Sequence, residues 1–373
     1  MTAFPFDALR RHPDPEADNL FAWDATDRYL LDRLTEEVPE ANAKRLVVIG
    51  DRYGALSLPL RARGAADLRV HQDALAGERA LSANAAALGL TPPERMGLVP
   101  ALLTGADIIL VQLPRGLDAL TEIADLIAAE APNALVIAGG RVKHMTTAMT
   151  DVLRERFVAV QPSLARGKSR LLVARDPRAD RPEPSFPRVQ HHADRGLTLV
   201  AHGAAFGGTK VDPGTRLLLD GLRTHPLGAG ERAIDLGCGT GLIAVTLAQR
   251  DAALSVLASD QSWAAVASAQ ATAEANDLAE RITVTRDDAL AAEADGSADI
   301  VVLNPPFHIG ATVHTGLAEK LFRAAARVLR PGGELRCVWN SPLGYRPALE
   351  RLVGPTEQLA RDARFTVTRS IRR

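Results

Sequence analysis

Thiols are scarce in this chain: among 373 residues only Cys238 and Cys337 are cysteines. One lies in a glycine loop and the other in an expected strand, so no disulfide framework is expected, and two thiols are too few to build a metal site. We therefore expect no metal and a reducing compartment, the cytoplasm. No apolar run of about eighteen residues or more occurs, which argues against a transmembrane helix. The opening stretch MTAFPFDALRRHPDPEAD lacks an apolar segment and a cleavage site, so no signal peptide is expected. Neither sign of charge dominates, with a net charge of −1 and a pI near 6.8. That balance weighs mildly against a protein coated in nucleic acid and leaves a local basic face open.

What is present suits a soluble protein of two ordinary domains: 46% hydrophobic and 24% charged residues. The stretch 176–187, DPRADRPEPSFP, is rich in proline and charge and reads as a linker between domains at 1–175 and 188–373. In the second half, strands are expected at 232–236, 255–258, 282–285, 300–303 and 334–339. Helices are expected at 242–250, 262–276 and 315–329, the last ended by a turn at 330–333. Apolar runs alternating with helical patterns imply parallel sheets with helices on both faces. In the first half, strands at 45–49, 106–111 and 134–138 and a helix at 119–130 follow the same order. Gly50 and Gly54 fall where Gly237 and Gly241 stand, with Arg52 at the place of Gly239. Gln112-Leu113-Pro114-Arg115 falls where Asn304-Pro305-Pro306-Phe307 stands. The expected fold is thus α/β, two tandem Rossmann-like, doubly wound domains from an internal duplication, the N-terminal copy degenerate.

The segment Asp235-Leu236-Gly237-Cys238-Gly239-Thr240-Gly241 ends a strand and opens a helix. Such a turn lets a ligand approach the backbone, and the helix N-terminus favours an anionic group. Dinucleotide folds space their glycines G-x-G-x-x-G, whereas here the spacing is G-x-G-x-G with Leu242 at the third dinucleotide position. Asp235 can organise the loop or reach an ammonium group. Asp260, nineteen residues after Gly241, can accept both hydroxyls of an unphosphorylated ribose. Asp287 or, preferentially, Asp288 can accept an adenine amine; the bland alternative is a helix cap. Asp212-Pro213-Gly214-Thr215 reads as a capped helix start over the cofactor pocket, which capping alone would also explain.

The second signature is DIVVLNPPFH, in which a buried strand ends on Asn304-Pro305-Pro306-Phe307. A planar exocyclic amine is a poor nucleophile because its lone pair is delocalised. The Asn304 side-chain oxygen and the Pro305 carbonyl can accept its hydrogens and pyramidalise the nitrogen. Pro305 and Pro306 fix the backbone and remove competing donors. Phe307 offers a face on which a base can stack. His308 is read as a structural histidine rather than a base, and His314 is a weaker candidate still. Together the two signatures point to methyl transfer from S-adenosylmethionine to a planar amino nitrogen, driven by positioning and electrostatics without a covalent intermediate.

With DLGCGTG, VDPGTRLLL, NPPFH and GGELRCVWNSPLGY the chain resembles the class I S-adenosylmethionine-dependent methyltransferases. Within them it is similar to the duplicated-domain bacterial ribosomal RNA guanine-N2 methyltransferases. LFAWDATDRYLL and GDRYGALS in the first half look most like the large-subunit (23S) member rather than the small-subunit (16S) one. The resemblance implies an inactive N-terminal domain that helps bind RNA, an active C-terminal one, and guanine N2 as acceptor. It also carries over Asn304 to Phe307 as the catalytic loop and Asp235 to Gly241 as the cofactor loop, and includes His308 in its pattern. IGATVHTG, after His308, matches no pattern of the family.

Ribosomal RNA is then the expected partner, with the target base drawn out of its stack, and a monomer is expected. Ten Lys/Arg against five Asp/Glu between 154 and 195, with Arg361, Arg364, Arg369, Arg372 and Arg373, form either an RNA-facing patch or an ordinary solvated surface. Methylation of a protein glutamine amide is a second reading, disfavoured by Phe307 where a tyrosine is usual. A non-catalytic RNA-binding assembly factor is a third, disfavoured by the intact loops. A nicotinamide dehydrogenase is disfavoured by the glycine spacing.

Overall fold

The computed structural model describes residues 4–228, 230–306 and 311–373 and, of 311–315, the backbone alone. The chain divides into two compact units, Met1–Phe186 and Pro187–Arg373. The first unit holds strands β1 (Leu46–Ile49), β2 (Leu68–His71), β3 (Glu94–Arg95), β4 (Ile108–Gln112), β5 (Leu135–Arg141), β6 (Phe157–Pro162) and β7 (Ser169–Pro177). Its helices are α1 (Ala25–Glu37), α2 (Ser57–Ala62), α3 (Leu75–Ala87), α4 (Pro100–Leu103), α5 (Leu117–Glu130) and α6 (Thr147–Arg156). β7 extends two residues into the stretch read as a linker.

The second unit opens with a hairpin, β8 (Arg188–His192) and β9 (Leu197–Ala201), then α7 (Pro213–Thr224). The main sheet follows: β10 (Arg232–Leu236), β11 (Ser255–Asp260), β12 (Ile282–Arg286), β13 (Ala298–Leu303), β14 (Leu329–Asn340), β15 (Thr356–Arg361) and β16 (Phe365–Ile371). Helices α8 (Leu242–Arg250), α9 (Trp263–Glu274), α10 (Ala311–Val328) and α11 (Arg346–Leu352) connect them.

The sheet orders are β3-β2-β1-β4-β5-β7-β6 and β12-β11-β10-β13-β14-β16-β15, the same topology strand for strand. Five strands in each run parallel, and the last two are antiparallel. Parallel strands are covered on both faces, which is why β1 (LVVI) and β13 (ADIVVL) are nearly continuous apolar runs. In the second unit one core gathers Leu218, Leu222, Val245 and Val256 on one face of the sheet, and another gathers Leu236, Val301, Phe322 and Trp339 on the other.

Two features differ from the sequence expectation. β14 runs through 330–333 instead of following a turn there. Its pairing with β13 jumps from Ala298↔Leu329 to Ile300↔Glu334, so the Pro-Gly-Gly stretch is a bulge, with Gly332 at φ +79°. The β8–β9 hairpin was not foreseen, because β8 is exposed and lacks an apolar face. β9 is anchored by α9: Val200 N donates to Thr272 Oγ1 at 3.0 Å, and Thr198 N donates to Asn276 Oδ1 at 2.8 Å. His202 N donates to Ser268 Oγ at 2.9 Å, so polar residues four apart along alanine-rich α9 and the turn after it satisfy a buried strand and its end. Among the described residues no helix is long and apolar enough to cross a membrane, and no His/Cys/Asp/Glu group could hold a metal ion.

Candidate active site

β10 and β13 are parallel neighbours in the register Leu236↔Leu303. The glycine loop and Asn304-Pro305-Pro306 therefore leave the sheet at the same edge, although 63 residues separate Gly241 from Asn304. Gly237, Gly239 and Gly241 have φ of +73°, +52° and +78°, a region that strains any side chain. A Cβ on Gly237 or Gly239 would meet nothing within 4 Å, so these two line open space. A Cβ on Gly241 would stand 3.0 Å from the Ala269 Cα, so this glycine lets the loop pack on α9. Gly237 N and Cys238 N both donate to Ser259 O, at 2.8 and 3.1 Å. The Cys238 thiol is buried in the core and its ionisation is pushed well up by that burial, so this residue offers backbone rather than sulfur chemistry.

Asp235 is fully buried beneath the loop. Its Oδ2 accepts from Ala244 N at 3.0 Å, tying the strand to the first turn of α8, while Oδ1 has no partner. Burial pushes this carboxyl up to about 7, with the nearby Asp260 charge adding and the Ala244 amide opposing. An orphaned buried acceptor costs about 1–3 kcal/mol, which a ligand ammonium would recover. Asp260 accepts from Gly239 N at 3.1 Å and from Ser262 N at 2.9 Å. A carboxylate there, held by the backbone of the loop and of the next helix start, is of the acceptor type that a pair of ribose hydroxyls needs.

Asp287 turns inward, accepting from Asp288 N at 2.7 Å and Ala292 N at 2.9 Å, and so fixes the loop after β12. Asp288 takes both oxygens to Lys320 Nζ, at 2.7 Å each. Lys320 on α10 was not singled out in the sequence, since a lysine on an amphipathic helix gives no signal. Its ammonium orients Asp288 at the edge of the loop.

Asn304 is held by the start of α7. Its Nδ2 donates to Thr215 Oγ1 at 2.8 Å and to Asp212 Oδ2 at 3.2 Å. Asp212 is also the α7 N-cap, accepting from Thr215 N at 3.0 Å. The carboxylate decides the amide orientation, because reversing it would set the amide oxygen against a carboxylate oxygen. Asn304 Oδ1 is thereby left buried with no partner among the described residues. Asp212 thus does more than cap, and the Thr215 hydroxyl, read from the sequence as a cofactor contact, accepts from Asn304. Pro305 is buried and Pro306 exposed. Phe307 and His308 lie outside the described residues, as does the His314 side chain.

The basic stretch is largely engaged with the protein itself. Arg166 pairs with Asp32 at 2.9 Å, Arg175 with Glu37 at 2.8 Å, Arg178 with Asp180 at 2.8 Å and Arg156 with Asp125 at 2.7 Å. At the C-terminus Arg369 pairs with Glu334 at 3.5 Å, and Arg373 donates to Glu350 O at 3.2 Å. A run of cations in sequence is therefore not a free cationic surface here.

Residues 2–178 match the RLMG N-terminal domain family, and residues 196–369 match the Methyltransferase small domain family. A ribosomal RNA large subunit methyltransferase G of Streptomyces coelicolor is 38% identical over 98% of this chain and 97% of its own length. The protein of that name from Pseudomonas putida KT2440 is also 38% identical, over 97% of this chain and 96% of its own. Among solved structures, a T. thermophilus 16S rRNA N2 G1207 methyltransferase, in complex with AdoMet and guanosine, is 25% identical. It superposes with a TM-score of 0.74, covering 96% of this chain and 97% of that one.

Proposed function

The chain belongs to the ribosomal RNA large subunit methyltransferase G family, and from that premise we propose that it transfers a methyl group from S-adenosylmethionine to the exocyclic N2 amine of a guanine in large-subunit rRNA. The observation that carries the acceptor chemistry is the Asn304 amide, locked by Asp212 and Thr215 with its oxygen unpartnered. S-adenosylmethionine, when bound, supplies an electrophilic methyl on sulfur.

Every other contribution comes from the chain. Gly237 and Gly239 leave room for the cofactor against the backbone. Asp235 Oδ1 would accept from its ammonium, Asp260 from its ribose and Asp288 from its adenine amine. Asn304 Oδ1 and the Pro305 carbonyl accept the two hydrogens of the guanine amine. This draws the nitrogen lone pair out of the ring and stabilises the positive charge that grows as the N–C bond forms. The fixed amide and the proline backbone need no reorganisation at that moment. The surplus proton leaves the nitrogen afterwards, so no strong base is required. The target base must leave its stack to reach the loop. Such a substrate sets the reaction in the cytoplasm, and a single chain holds all the groups it uses.

The test is transfer of labelled methyl to protein-free large- and small-subunit rRNA and to assembled subunits, with N304A alongside. Label in large-subunit rRNA that appears as N2-methylguanosine and vanishes in N304A supports the proposal. Label on another atom, or turnover in N304A within a few-fold of wild type, overturns the acceptor role.

A further inference from the structure

Strand registers place the two units in correspondence. Ile49 pairs with His71 and Val111, and Leu236 with Ser259 and Leu303. Gln112 pairs with Gly139, as Leu303 pairs with Cys337 one position earlier. It follows that Arg52 occupies the place of Gly239 and Arg115 that of Phe307. Arg141 occupies the place of Asn340, and the short turns Val142–His144 and Ser341–Leu343 coincide, with Lys143 for Pro342 and His144 for Leu343. Five uncharged positions of the second unit are thus all basic types in the first.

They converge because β1, β4 and β5 are parallel neighbours, so Arg52, Arg115 and 141–144 leave the sheet at one edge. Arg52, Arg115, Lys143 and His144 are exposed and Arg141 half-buried. Among the described residues none of the four Arg/Lys side chains has an ion-pair partner, in contrast to the paired arginines of 156–178. Partial desolvation and then the charges of Arg115, Lys143, Arg52 and Arg141 hold His144 below the usual histidine range, which registers how closely the cations crowd it. Like charges gathered without a counterion cost free energy unless an anion meets them.

We propose that the vestigial ligand mouth of the first unit is a phosphate-docking surface for the backbone of the RNA substrate, with Arg52, Arg115, Arg141 and Lys143 as its contacts. The proposal rests on the reading of this chain as an RNA methyltransferase and gives the lapsed domain its role in that reaction. Phosphate fits better than a base edge: the four cations are spread over three loops, a spacing suited to a charged strand laid across them.

The test measures binding of in-vitro-transcribed large-subunit rRNA to the full chain against salt, for wild type and R52Q/R115Q/R141Q/K143Q. Each lost phosphate contact removes about 0.7–0.9 from the log–log salt slope. Four contacts should flatten the slope by about 3, so between 50 and 200 mM salt the wild type should lose roughly sixtyfold more affinity than the variant. KM for RNA should rise, while kcat at saturating RNA and cofactor affinity hold within about twofold.

The charge-keeping R52K/R115K/R141K variant should retain the wild-type slope, which separates charge from misfolding. K44Q/R45Q, just before β1 at the opposite edge, should leave it unchanged. An unchanged slope in the fourfold variant, or an equal loss in K44Q/R45Q, overturns the proposal while methylation by the wild type stands. A wild type that binds with the expected slope yet methylates no rRNA sinks the catalytic reading and leaves the docking surface supported.

Discussion

At the end of the first strand of each central sheet the chain turns through five residues, Gly50–Gly54 in one unit and Gly237–Gly241 in the other. In the second unit the middle position is Gly239, opening on empty space; in the first it is Arg52. Beneath the loop, Asp235 corresponds to Val48, and beyond the next strand Asp260 corresponds to Gln72. A Cβ on Gly50 would lie 3.2 Å from Gln112, whereas one on Gly237 would touch nothing. Yet the lock on the catalytic amide survives in both: Gln112 Nε2 donates to Asp27 in the first turn of α1, as Asn304 Nδ2 donates to Thr215 in the first turn of α7. The groups proposed to bind the cofactor have no counterparts in the first unit, while the scaffold hydrogen bond is present in both. The contrast teaches that this bond stabilises the strand–helix junction on its own account, whatever chemistry stands beside it.

The most severe way to erase the contrast is G239R, which copies Arg52 into the open loop. Cofactor affinity should fall below detection by titration, and turnover with it. R52G should not restore binding to the first unit, because Val48 and Gln72 still replace both carboxylates. Measurable cofactor binding by G239R at wild-type affinity would mean that the loop is not the cradle.

Next in size is N304Q, which copies Gln112. One added methylene carries the amide about 1 Å out of place, and losing an oriented acceptor costs about 10²–10³ in kcat. Cofactor affinity should stay within about twofold. A variant that kept a tenth of wild-type turnover would show that side-chain length at this position is immaterial.

The topology and the two signatures were legible because they rest on local chemistry: positive-φ glycines, a proline-locked turn and buried parallel strands all leave marks in sequence. The Asp212–Asn304 contact spans 92 residues, and no single segment contains it. Lys320 likewise reaches Asp288 from an ordinary amphipathic helix. The basic stretch at 154–195 left an RNA-facing patch and an ordinary solvated surface equally open, because its carboxylate partners in space leave no mark beside it in sequence. The free cations come instead from three loops that only the sheet order gathers. Thr215 shows the limit as well: a hydroxyl at a helix start carries no mark of its protein partner, and only the fold shows that it accepts from Asn304.

The comparison sharpens further through Asp235, which Val48 replaces in the first unit. Free, its carboxyl sits near 7 because burial disfavours the charge. The cofactor ammonium requires the ionised form, so binding should strengthen as pH rises through that value and weaken below it. Between pH 6 and 7.5 the ionised fraction, and with it affinity, should rise roughly eightfold. D235N should bind more weakly and show a flat profile. A wild-type profile equally flat would mean that Asp235 serves the α8 junction alone.

The smallest effect expected is that of T215V. It removes the 2.8 Å bond to Asn304 and leaves the 3.2 Å bond to Asp212 in place. Losing the neutral one of the two restraints on the amide is worth about 0.5–1.5 kcal/mol, so kcat should drop about two- to tenfold. The α7 cap is carried by Asp212, so the stability loss should be confined to that one bond, about 0.5–1.5 kcal/mol. The informative readout is how the loss divides. If Thr215 positions Asn304, kcat falls and cofactor affinity holds; if it contacts the cofactor as the sequence suggested, affinity falls and kcat at saturation holds. D212N is the companion: it keeps an acceptor for the cap but removes the charge that fixes the amide, and its kcat should fall at least as far as that of T215V. A D212N variant with full turnover would leave Asn304 oriented by Thr215 alone and reduce Asp212 to the capping role that Asp24 holds in the first unit.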